Sequence, residues 1–265
     1  MINDPKSTYK PYTLNKVENS NIILLCDHAS QYIPLEYKDL GISEKLLNEH
    51  ISYDIGAANL TAKISEIIRA NSLLSHFSRL LIDPNRGIDD PTLIMKFADQ
   101  FIIPGNINLT SDQINQRIES FYKPYHNQIT SMINYLISKN EVPILISIHS
   151  FTRNFRSDIR PWEISVLWDT DDRISAPMLS ILRKDNKYMI GDNEPYKGYL
   201  KGDTLHTHGT SRGIPHVLIE VRNDLIASND GQKDIAKYLA GIIKEIINEF
   251  SSQINIIQNF GTKTF

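Results

Sequence analysis

The chain is poor in cysteine and in net charge. Its 265 residues include a single cysteine, Cys26, and 31 acidic side chains stand against 28 basic ones. A lone cysteine excludes an intrachain disulfide and is typical of proteins in a reducing compartment. A formal net charge of −3 provides no global basic field that would attract nucleic acid or an anionic membrane surface.

Long hydrophobic runs and targeting signals are also missing. The apolar stretches at 22–26 and 143–148 are far shorter than the ~20 residues that span a bilayer. Residues 1–16 contain neither the apolar segment nor the small-residue cleavage site of a signal peptide. We therefore expect a soluble, cytoplasmic protein that acts on a small molecule, with no nucleic acid or membrane partner. Composition leaves its oligomeric state open.

Several motifs of common enzyme classes are absent. The sequence has no phosphate-binding loop, no dinucleotide-binding glycine fingerprint and no Gly-x-Ser-x-Gly elbow. Cys26 lies inside an apolar run, where a thiol is normally inert. Nucleotide chemistry, serine-hydrolase chemistry and thiol chemistry are all disfavoured.

Apolar runs alternate with segments of helical periodicity along most of the chain. Runs typical of buried strands occur at 22–26, 80–82, 144–148, 164–168 and 216–221, and helical patterns at 56–70, 110–138, 175–184 and 235–247. This alternation predicts the α/β class, with a mostly parallel or mixed central sheet and helices on both faces. We expect an extended arm at 1–18, a single α/β domain at 19–265, and an irregular segment at 186–215.

Reactive side chains follow four of these apolar runs. The runs lead into Asp27-His28, Asp83-Pro84-Asn85-Arg86, His149-Ser150 and Glu220-Val221-Arg222. In open α/β sheets, ligands bind beyond the carboxyl ends of the strands. These side chains therefore predict one shared site at that edge of the sheet.

His28 and His149 are candidate zinc ligands. Two imidazoles and a carboxylate leave an open coordination position for water, whose pKa zinc lowers toward ~7. Asp54, which precedes a helical segment, is the better candidate for the third ligand, and His50 is the alternative because a helical turn would bring the two together. The competing interpretation is that each histidine only caps a strand end. His206 and His208, in the irregular segment, are expected to be solvated loop residues.

Glu220 and two arginines are candidates for the remaining chemistry. A carboxylate at the end of an apolar strand is poorly solvated, which raises its pKa and suits a general base, although an ion pair with Arg222 is a structural alternative. Arg79 and Arg86 flank the run 80–82, and their planar guanidinium groups, assisted by Asn85, fit a substrate carboxylate.

A series of motifs resembles the N-formylglutamate amidohydrolase family, in order from about Asn21 to Leu225. The motifs are Leu25-Cys26-Asp27-His28-Ala29-Ser30, Tyr53-Asp54-Ile55-Gly56-Ala57, Ser78 to Arg86, Ile148-His149-Ser150-Phe151-Thr152, Asp192-Asn193-Glu194-Pro195-Tyr196 and Ile219 to Asp224. The resemblance implies a zinc-carboxypeptidase-like, phosphorylase/hydrolase-like fold. It also implies zinc-dependent hydrolysis of N-formyl-L-glutamate to formate and glutamate, as in histidine degradation.

The stretch from Arg79 to Arg86 also resembles that of the aspartoacylases in the wider superfamily, which implies that Arg79 stabilises the oxyanion and that Arg86 and Asn85 hold a carboxylate. The metal motif of the aspartoacylases has a glutamate three positions after its histidine, whereas in this sequence Gln31 stands three positions after His28. Asp54 is therefore assigned as the third ligand of one zinc ion.

The remaining site predictions and the alternatives follow from this assignment. Arg222 and Tyr196 are further candidates for substrate contact. The alternatives to the main prediction are a related amidase for another N-acyl amino acid or small peptide, and a non-catalytic homologue that binds anions.

Overall fold

The apolar runs form the middle of a seven-stranded sheet in the computed structural model, which describes residues 9–264. Two small hairpins lie outside this sheet. The strands are β1 (Tyr12–Asn15), β2 (Ile22–Cys26), β3 (Asn71–Ser75), β4 (Phe97–Ala98), β5 (Phe101–Ile102), β6 (Ile144–Phe151), β7 (Asn154–Phe155), β8 (Asp158–Ile159), β9 (Ile164–Leu167), β10 (Ile190–Asp192) and β11 (His216–Arg222).

Within residues 9–264, eight α-helices connect and cover the strands. They are α1 (Glu44–Leu47), α2 (Ala57–Ile68), α3 (Ser111–Arg117), α4 (Lys123–Ser138), α5 (Ser175–Asp185), α6 (Thr204–His208), α7 (Asn229–Glu249) and α8 (Ser251–Ile254). Short 3-10 segments occur at Leu35–Gly41, Pro104–Asn106, Thr210–Arg212 and Asn223–Leu225. No helix in the described part of the chain is long and apolar enough to cross a membrane.

The sheet has the order β1-β3-β2-β6-β11-β9-β10. Strands β3, β2, β6 and β11 run parallel to one another, whereas β1 is antiparallel to β3 and β9 is antiparallel to β11. The predicted class is confirmed: this is an α/β protein with a mixed central sheet. The parallel centre brings the carboxyl ends of β2, β6 and β11 to one edge.

Helices cover both faces of the sheet, so the central strands are apolar on both sides. Within β2, Ile22 and Leu24 belong to the core cluster that includes Leu60 of α2 and Leu239 of α7. The intervening Ile23 and Leu25 belong to the opposite cluster, formed with residues of α4 such as Ile129 and Ile133. Both core layers therefore meet at the strands that carry the site.

The strand predicted at 80–82 is wrong. Leu80, Leu81 and Ile82 are completely buried, but they lie in a loop, and the strand of this region is β3 at Asn71–Ser75. The apolar run reports burial rather than strand conformation. The true strand carries three buried polar residues, which hide its apolar pattern. The other predicted strands and helices are present with small shifts in their ends.

The helical stretch predicted at 110–138 is continuous but changes its winding. Thr110 caps it together with Gln113, and a π-helical segment at Ile118–Tyr122 joins α3 to α4. Pro124 lies in the first turn of α4, where its missing N–H is tolerated. The proline therefore starts a new helical segment and does not break the stretch.

Two regions predicted to be irregular contain edge strands. The arm predicted at 1–18 includes β1, which pairs with β3 through residues 12–15, while residues 1–8 lie outside the described residues. The segment 186–215 contains β10 and α6. Both segments show little hydrophobic periodicity, because edge strands and short helices bury few side chains.

Candidate metal centre and active site

The candidate site is built where three parallel strands end. His28 follows β2, His149 lies near the end of β6, and Glu220 of β11 is paired in register with His149. Asp54 comes from the turn before α2 and is tied to β2 by a backbone hydrogen bond from its N–H to the carbonyl of His28, at 2.9 Å. The sheet therefore brings together residues that are far apart in sequence.

His28, Asp54 and His149 form a buried group of three potential metal ligands. Their ligand atoms all lie within 4.8 Å of one another. Oδ2 of Asp54 is 2.8 Å from Nδ1 of His149 and 3.5 Å from Nδ1 of His28. The two imidazole rings meet edge to face, with their centroids 4.8 Å apart. Both Nδ1 atoms thus converge on the same carboxylate.

The opposite nitrogen of each imidazole is held by a second carboxylate. Nε2 of His28 donates to Asp83 at 2.7 Å, and Nε2 of His149 donates to Asp27 at 3.0 Å. A hydrogen bond of this kind fixes the ring and leaves the other nitrogen free to coordinate a metal. Nδ1 of His28 is buried and has no hydrogen-bond partner among the described residues. Two nitrogens and one oxygen are a donor set that suits zinc, and these residues fit such an ion.

The charge balance around His149 agrees with a cation at this point. Burial disfavours a charged imidazole, but hydrogen bonds to Asp27 and Asp54 outweigh it and raise the pKa of His149 well above its usual range. Burial also opposes ionisation of Asp54, yet the neighbouring His28 and His149 hold its pKa well below the usual range. The centre therefore favours positive charge, whether from a proton or from a metal.

Asp27 is a site residue that the sequence analysis did not single out. It is fully buried and accepts hydrogen bonds from three hydroxyl groups besides His149. The donors are Tyr125 at 3.0 Å, Ser147 at 3.0 Å and Thr204 at 2.7 Å. The sequence does contain a signal for Asp27: it is an acidic residue at the end of a fully apolar strand, and a carboxylate there needs hydrogen-bond partners to offset its burial.

Glu220 faces the same site with an uncommitted carboxylate. The residue is 7% exposed, and its Oε2 atom is buried with no hydrogen-bond partner among the described residues. Burial raises the pKa of Glu220 to about 8, against the opposing effect of His149. The structural alternative, an ion pair between Glu220 and Arg222, is not formed, because Arg222 pairs with Glu163 and Asp224. A carboxylate of this kind is able to exchange a proton near neutral pH.

Arg79, Asn85 and Arg86 line the cavity beside the ligand group. Arg79 donates to Asp83 at 3.0 Å and lies 3.8 Å from Asp54, while its Nε is buried without a partner among the described residues. Arg86 donates to the hydroxyl of Thr92 and to the carbonyl of Asn85 and forms no ion pair within residues 9–264. Both guanidinium groups thus retain donors for a ligand.

The two further candidates for substrate contact differ in their placement. Tyr196 lines the cavity. Arg222 does not, because its guanidinium pairs with Asp224 at 2.7 Å and with Glu163 at 3.5 Å. The geometry therefore does not bring Arg222 to the site, because its charge is already neutralised by these two carboxylates.

The other histidines stand apart from the ligand group. His50 lies in a turn rather than a helix, and its Nε2 is 3.9 Å from Oδ1 of Asp54, so it borders the group of three without joining it. The prediction that His206 and His208 are solvated loop residues is wrong: both lie in α6, where His206 is half-buried and His208 is buried and bonded to His126 at 2.8 Å.

The site opens into a cavity of about 1010 Å³. One wall carries the ligands, Glu220 and the arginines, and another is apolar, with Leu167, Trp168, Leu205 and Leu218. The hairpins β4–β5 and β7–β8 contribute to its mouth through Phe97 and Phe155.

Comparison with known proteins is consistent with this geometry. Residues 20–227 match the family model of N-formylglutamate amidohydrolase. The chain is 29% identical to a gene product of Agrobacterium tumefaciens, with a TM-score of 0.87 over 92% of this chain and 97% of that one. It shares the fold of an N-formylglutamate amidohydrolase from Ralstonia eutropha, at 18% identity and a TM-score of 0.69 over 92% and 99% of the two chains. No curated protein matches. The chain belongs to the N-formylglutamate amidohydrolase family.

Proposed function

We propose that this member of the family hydrolyses the amide bond of an N-acylated acidic amino acid in a metal-dependent reaction, with N-formyl-L-glutamate as substrate and formate and glutamate as products. The observation that carries the proposal is the convergence of His28, Asp54 and His149 with Glu220 and two arginines at one cavity. The family match and the activity in the name of the Ralstonia protein support the choice of substrate.

The three clustered residues would hold the metal. His28 and His149 would each bind through Nδ1, because Asp83 and Asp27 occupy the Nε2 atoms, and Asp54 would bind through its carboxylate. Two histidines and one carboxylate are a ligand set typical of catalytic zinc. When bound, the metal supplies a Lewis acid that polarises the scissile carbonyl and lowers the pKa of a water molecule.

Glu220 carries the proton in this reaction. Its carboxylate takes a proton from the attacking water as the water oxygen bonds to the formyl carbon. The same proton then passes to the nitrogen of the leaving amine as the C–N bond breaks, which releases formate and the free amino acid. The uncommitted Oε2 atom and the raised pKa of Glu220 support this role.

The arginines bind and orient the substrate. Arg79 is placed beside Asp54 and Asp83, where its free Nε donates to the oxygen on which negative charge develops. Arg86, with the amide of Asn85 next to it, holds a substrate carboxylate. Fixing the substrate at both points places its carbonyl carbon against the attacking water.

One observation favours a second candidate. A cavity of about 1010 Å³ with an apolar wall is larger than a formyl group and a glutamate require. A related amidase that removes a longer acyl group, or cleaves a small peptide, would use this wall. The catalytic residues and their roles would be the same.

A metal analysis combined with a hydrolysis screen tests the proposal. The purified protein is analysed for zinc, and N-formyl, N-acetyl and peptide derivatives of Glu, Asp and Gln are then compared before and after chelation and reconstitution. We expect stoichiometric zinc, preference for N-formyl-L-glutamate, and activity that is lost on chelation and restored by zinc. Preference for a longer acyl group would establish the second candidate. Anion binding without zinc or hydrolysis would identify a non-catalytic homologue and refute both.

A further inference from the structure

Arg160 is a buried arginine that neither the sequence motifs nor the proposed reaction uses. It follows the hairpin β7–β8, and this hairpin comes shortly after β6, the strand that carries His149. Its backbone N–H donates to the carbonyl of Arg153 at 2.8 Å, which closes the hairpin and returns the side chain toward the sheet. The residue is only 6% exposed.

The guanidinium of Arg160 lies among aromatic rings. Its central carbon is 4.7 Å from the ring centroid of Phe155, 5.0 Å from that of Tyr196 and 6.0 Å from that of Phe151. Phe155 and Tyr196 line the cavity, as does Thr152, whose oxygens accept two long hydrogen bonds from this guanidinium. Arg160 itself is not among the lining residues, so its guanidinium lies directly behind these three residues of the cavity wall.

Arg160 differs from the other buried arginines in how its charge is satisfied. Among the described residues, the buried arginines are Arg117, Arg160, Arg173 and Arg222. Arg173 and Arg222 pair with carboxylates at 2.5 and 2.7 Å, and Arg117 donates to three oxygens at 2.7 to 3.0 Å. Arg160 has two long contacts to Thr152, at 3.3 and 3.5 Å, and forms no ion pair in this part of the chain, although it lies near enough to Glu220 to lower the pKa of that carboxyl.

A guanidinium with so few partners is poised for an anion. Arginine carries five N–H donors, and burying its charge without a carboxylate is costly. Aromatic rings offset part of this cost by stacking but leave the donors in the plane of the group available. The missing partner is therefore expected to come from a ligand in the cavity.

We infer that Arg160, stacked on Tyr196, forms a second carboxylate subsite that receives the side-chain carboxylate of the substrate. The inference rests on the proposed function and defines its substrate class as N-acyl dicarboxylic amino acids. Arg79, Arg222 and the cavity-lining Lys197 are paired with acidic neighbours, which leaves Arg86 and Arg160 for the two carboxylates. Arg86 follows the loop that holds His28 through Asp83, so it takes the carboxylate nearer the scissile bond, and Arg160 takes the distant one.

The test compares Arg160→Gln with Arg156→Gln, because Arg156 is an exposed arginine of the same hairpin that also stacks on Phe155. Hydrolysis of N-formyl-L-glutamate is measured beside that of N-formyl-L-glutamine, whose side chain is neutral. Arg160→Gln is expected to reduce kcat/KM for the glutamate derivative by at least about 30-fold, mainly through KM. The glutamine derivative is expected to change by less than about 3-fold, as are both substrates with Arg156→Gln.

Binding supplies a readout that does not depend on hydrolysis. Glutarate, which has two carboxylates, and glutaramate, which has one, are titrated calorimetrically into the wild type and both variants. We expect the wild type and Arg156→Gln to prefer glutarate, and Arg160→Gln to bind the two equally. If the wild type hydrolyses no N-formyl substrate, the proposed function fails, whereas this titration still decides the subsite.

Two results would overturn the subsite. One is an unchanged preference for glutarate in Arg160→Gln. The other is an equal fall in hydrolysis of both N-formyl substrates, which would mean that Arg160 supports the fold or acts through Glu220. If Arg160→Gln does not fold, Arg160→Lys keeps the charge but loses the planar fork, and it must then show a reduced preference for glutarate.

Discussion

The two sides of the cavity are built in different ways. On the ligand side, which comprises His28, Asp54 and His149 with the supporting Asp27 and Asp83, side chains at strand ends and in the adjoining loops are buried and bonded to one another. On the substrate side, Arg86, Arg160 and Tyr196 lie on loops and a hairpin and have few polar partners within residues 9–264. The first side is complete without substrate, whereas the second keeps its hydrogen-bonding capacity for one.

This contrast has an energetic reason. A metal ligand has to be held in one orientation, so each imidazole is fixed by a carboxylate, and each carboxylate by further donors. A group that recognises an anion gains affinity only if its donors are not already satisfied. Substitutions on the ligand side are therefore expected to affect every substrate equally, and those on the substrate side only some of them.

The largest effect is expected from His149→Ala, which removes a proposed metal ligand and leaves Asp27 and Asp54 facing each other without the imidazole between them. The variant should retain no stoichiometric metal and should hydrolyse no substrate. Its melting temperature should also fall, because buried carboxylates lose their partner. Elemental analysis and thermal unfolding by circular dichroism measure both, with His206→Ala, outside the ligand group, as the control. Wild-type metal content in His149→Ala would show that the ligand group is misassigned.

Glu220→Gln is expected to have the next largest effect, a loss of ~10²- to 10⁴-fold in kcat. The amide keeps the shape of the side chain but cannot accept the proton, so KM should change little. The loss should be the same for every acyl amino acid tested. Glu49→Gln, an exposed carboxylate that also lines the cavity, is the matched control and should behave as the wild type. A Glu220→Gln variant that keeps the wild-type kcat would assign the proton transfer to another group.

Asp27→Asn should weaken the site without removing a ligand. The amide either loses the hydrogen bond from Nε2 of His149 or turns the imidazole to its other tautomer, and supporting changes of this kind cost ~10- to 100-fold in metal affinity. Competition with a zinc chelator measures the affinity. Asp83→Asn should act similarly through His28. The control is Asp169→Asn, which changes a buried carboxylate bonded to Thr262 and Lys263 and should leave zinc affinity unchanged. Equal zinc affinity in all three variants would show that Asp27 and Asp83 only satisfy the core.

The same contrast explains what the sequence could reveal. The clustering of His28 and His149 could be predicted because it follows a rule of position: both stand where an apolar run of the sequence ends, and parallel strands bring their ends together. Asp54 was harder to predict because it sits in a turn, whose place depends on a backbone hydrogen bond to His28. The fold class followed from the alternation of strands and helices, although burial in the loop at 80–82 imitated a strand.

The substrate side could not be predicted to the same extent, because no periodicity marks it. Arg222 was a candidate from its place after a strand, but its pairing with Glu163, 59 positions away, is visible only in the structure. Arg160 follows a two-stranded hairpin with three arginines in eight residues, and the sequence does not indicate which of them is buried. Whether an arginine pairs with a carboxylate or remains available at the cavity depends on tertiary packing.

The smallest expected effect, and the sharpest test of the contrast, is that of Arg86→Lys. Lysine keeps the charge but loses the planar fork that binds a carboxylate through two donors. We expect kcat/KM for N-formyl-L-glutamate to fall by at least about tenfold, which corresponds to ~1.4 kcal/mol. For the analogue in which the α-carboxylate is an amide, the fall should be much smaller, because that substrate never used the fork. The ratio of the two values is the measurement, since a folding defect or loss of metal would lower both equally. An unchanged ratio would mean that Arg86 supports its loop through Thr92 and Asn85, and that both carboxylates are held by the hairpin side of the cavity.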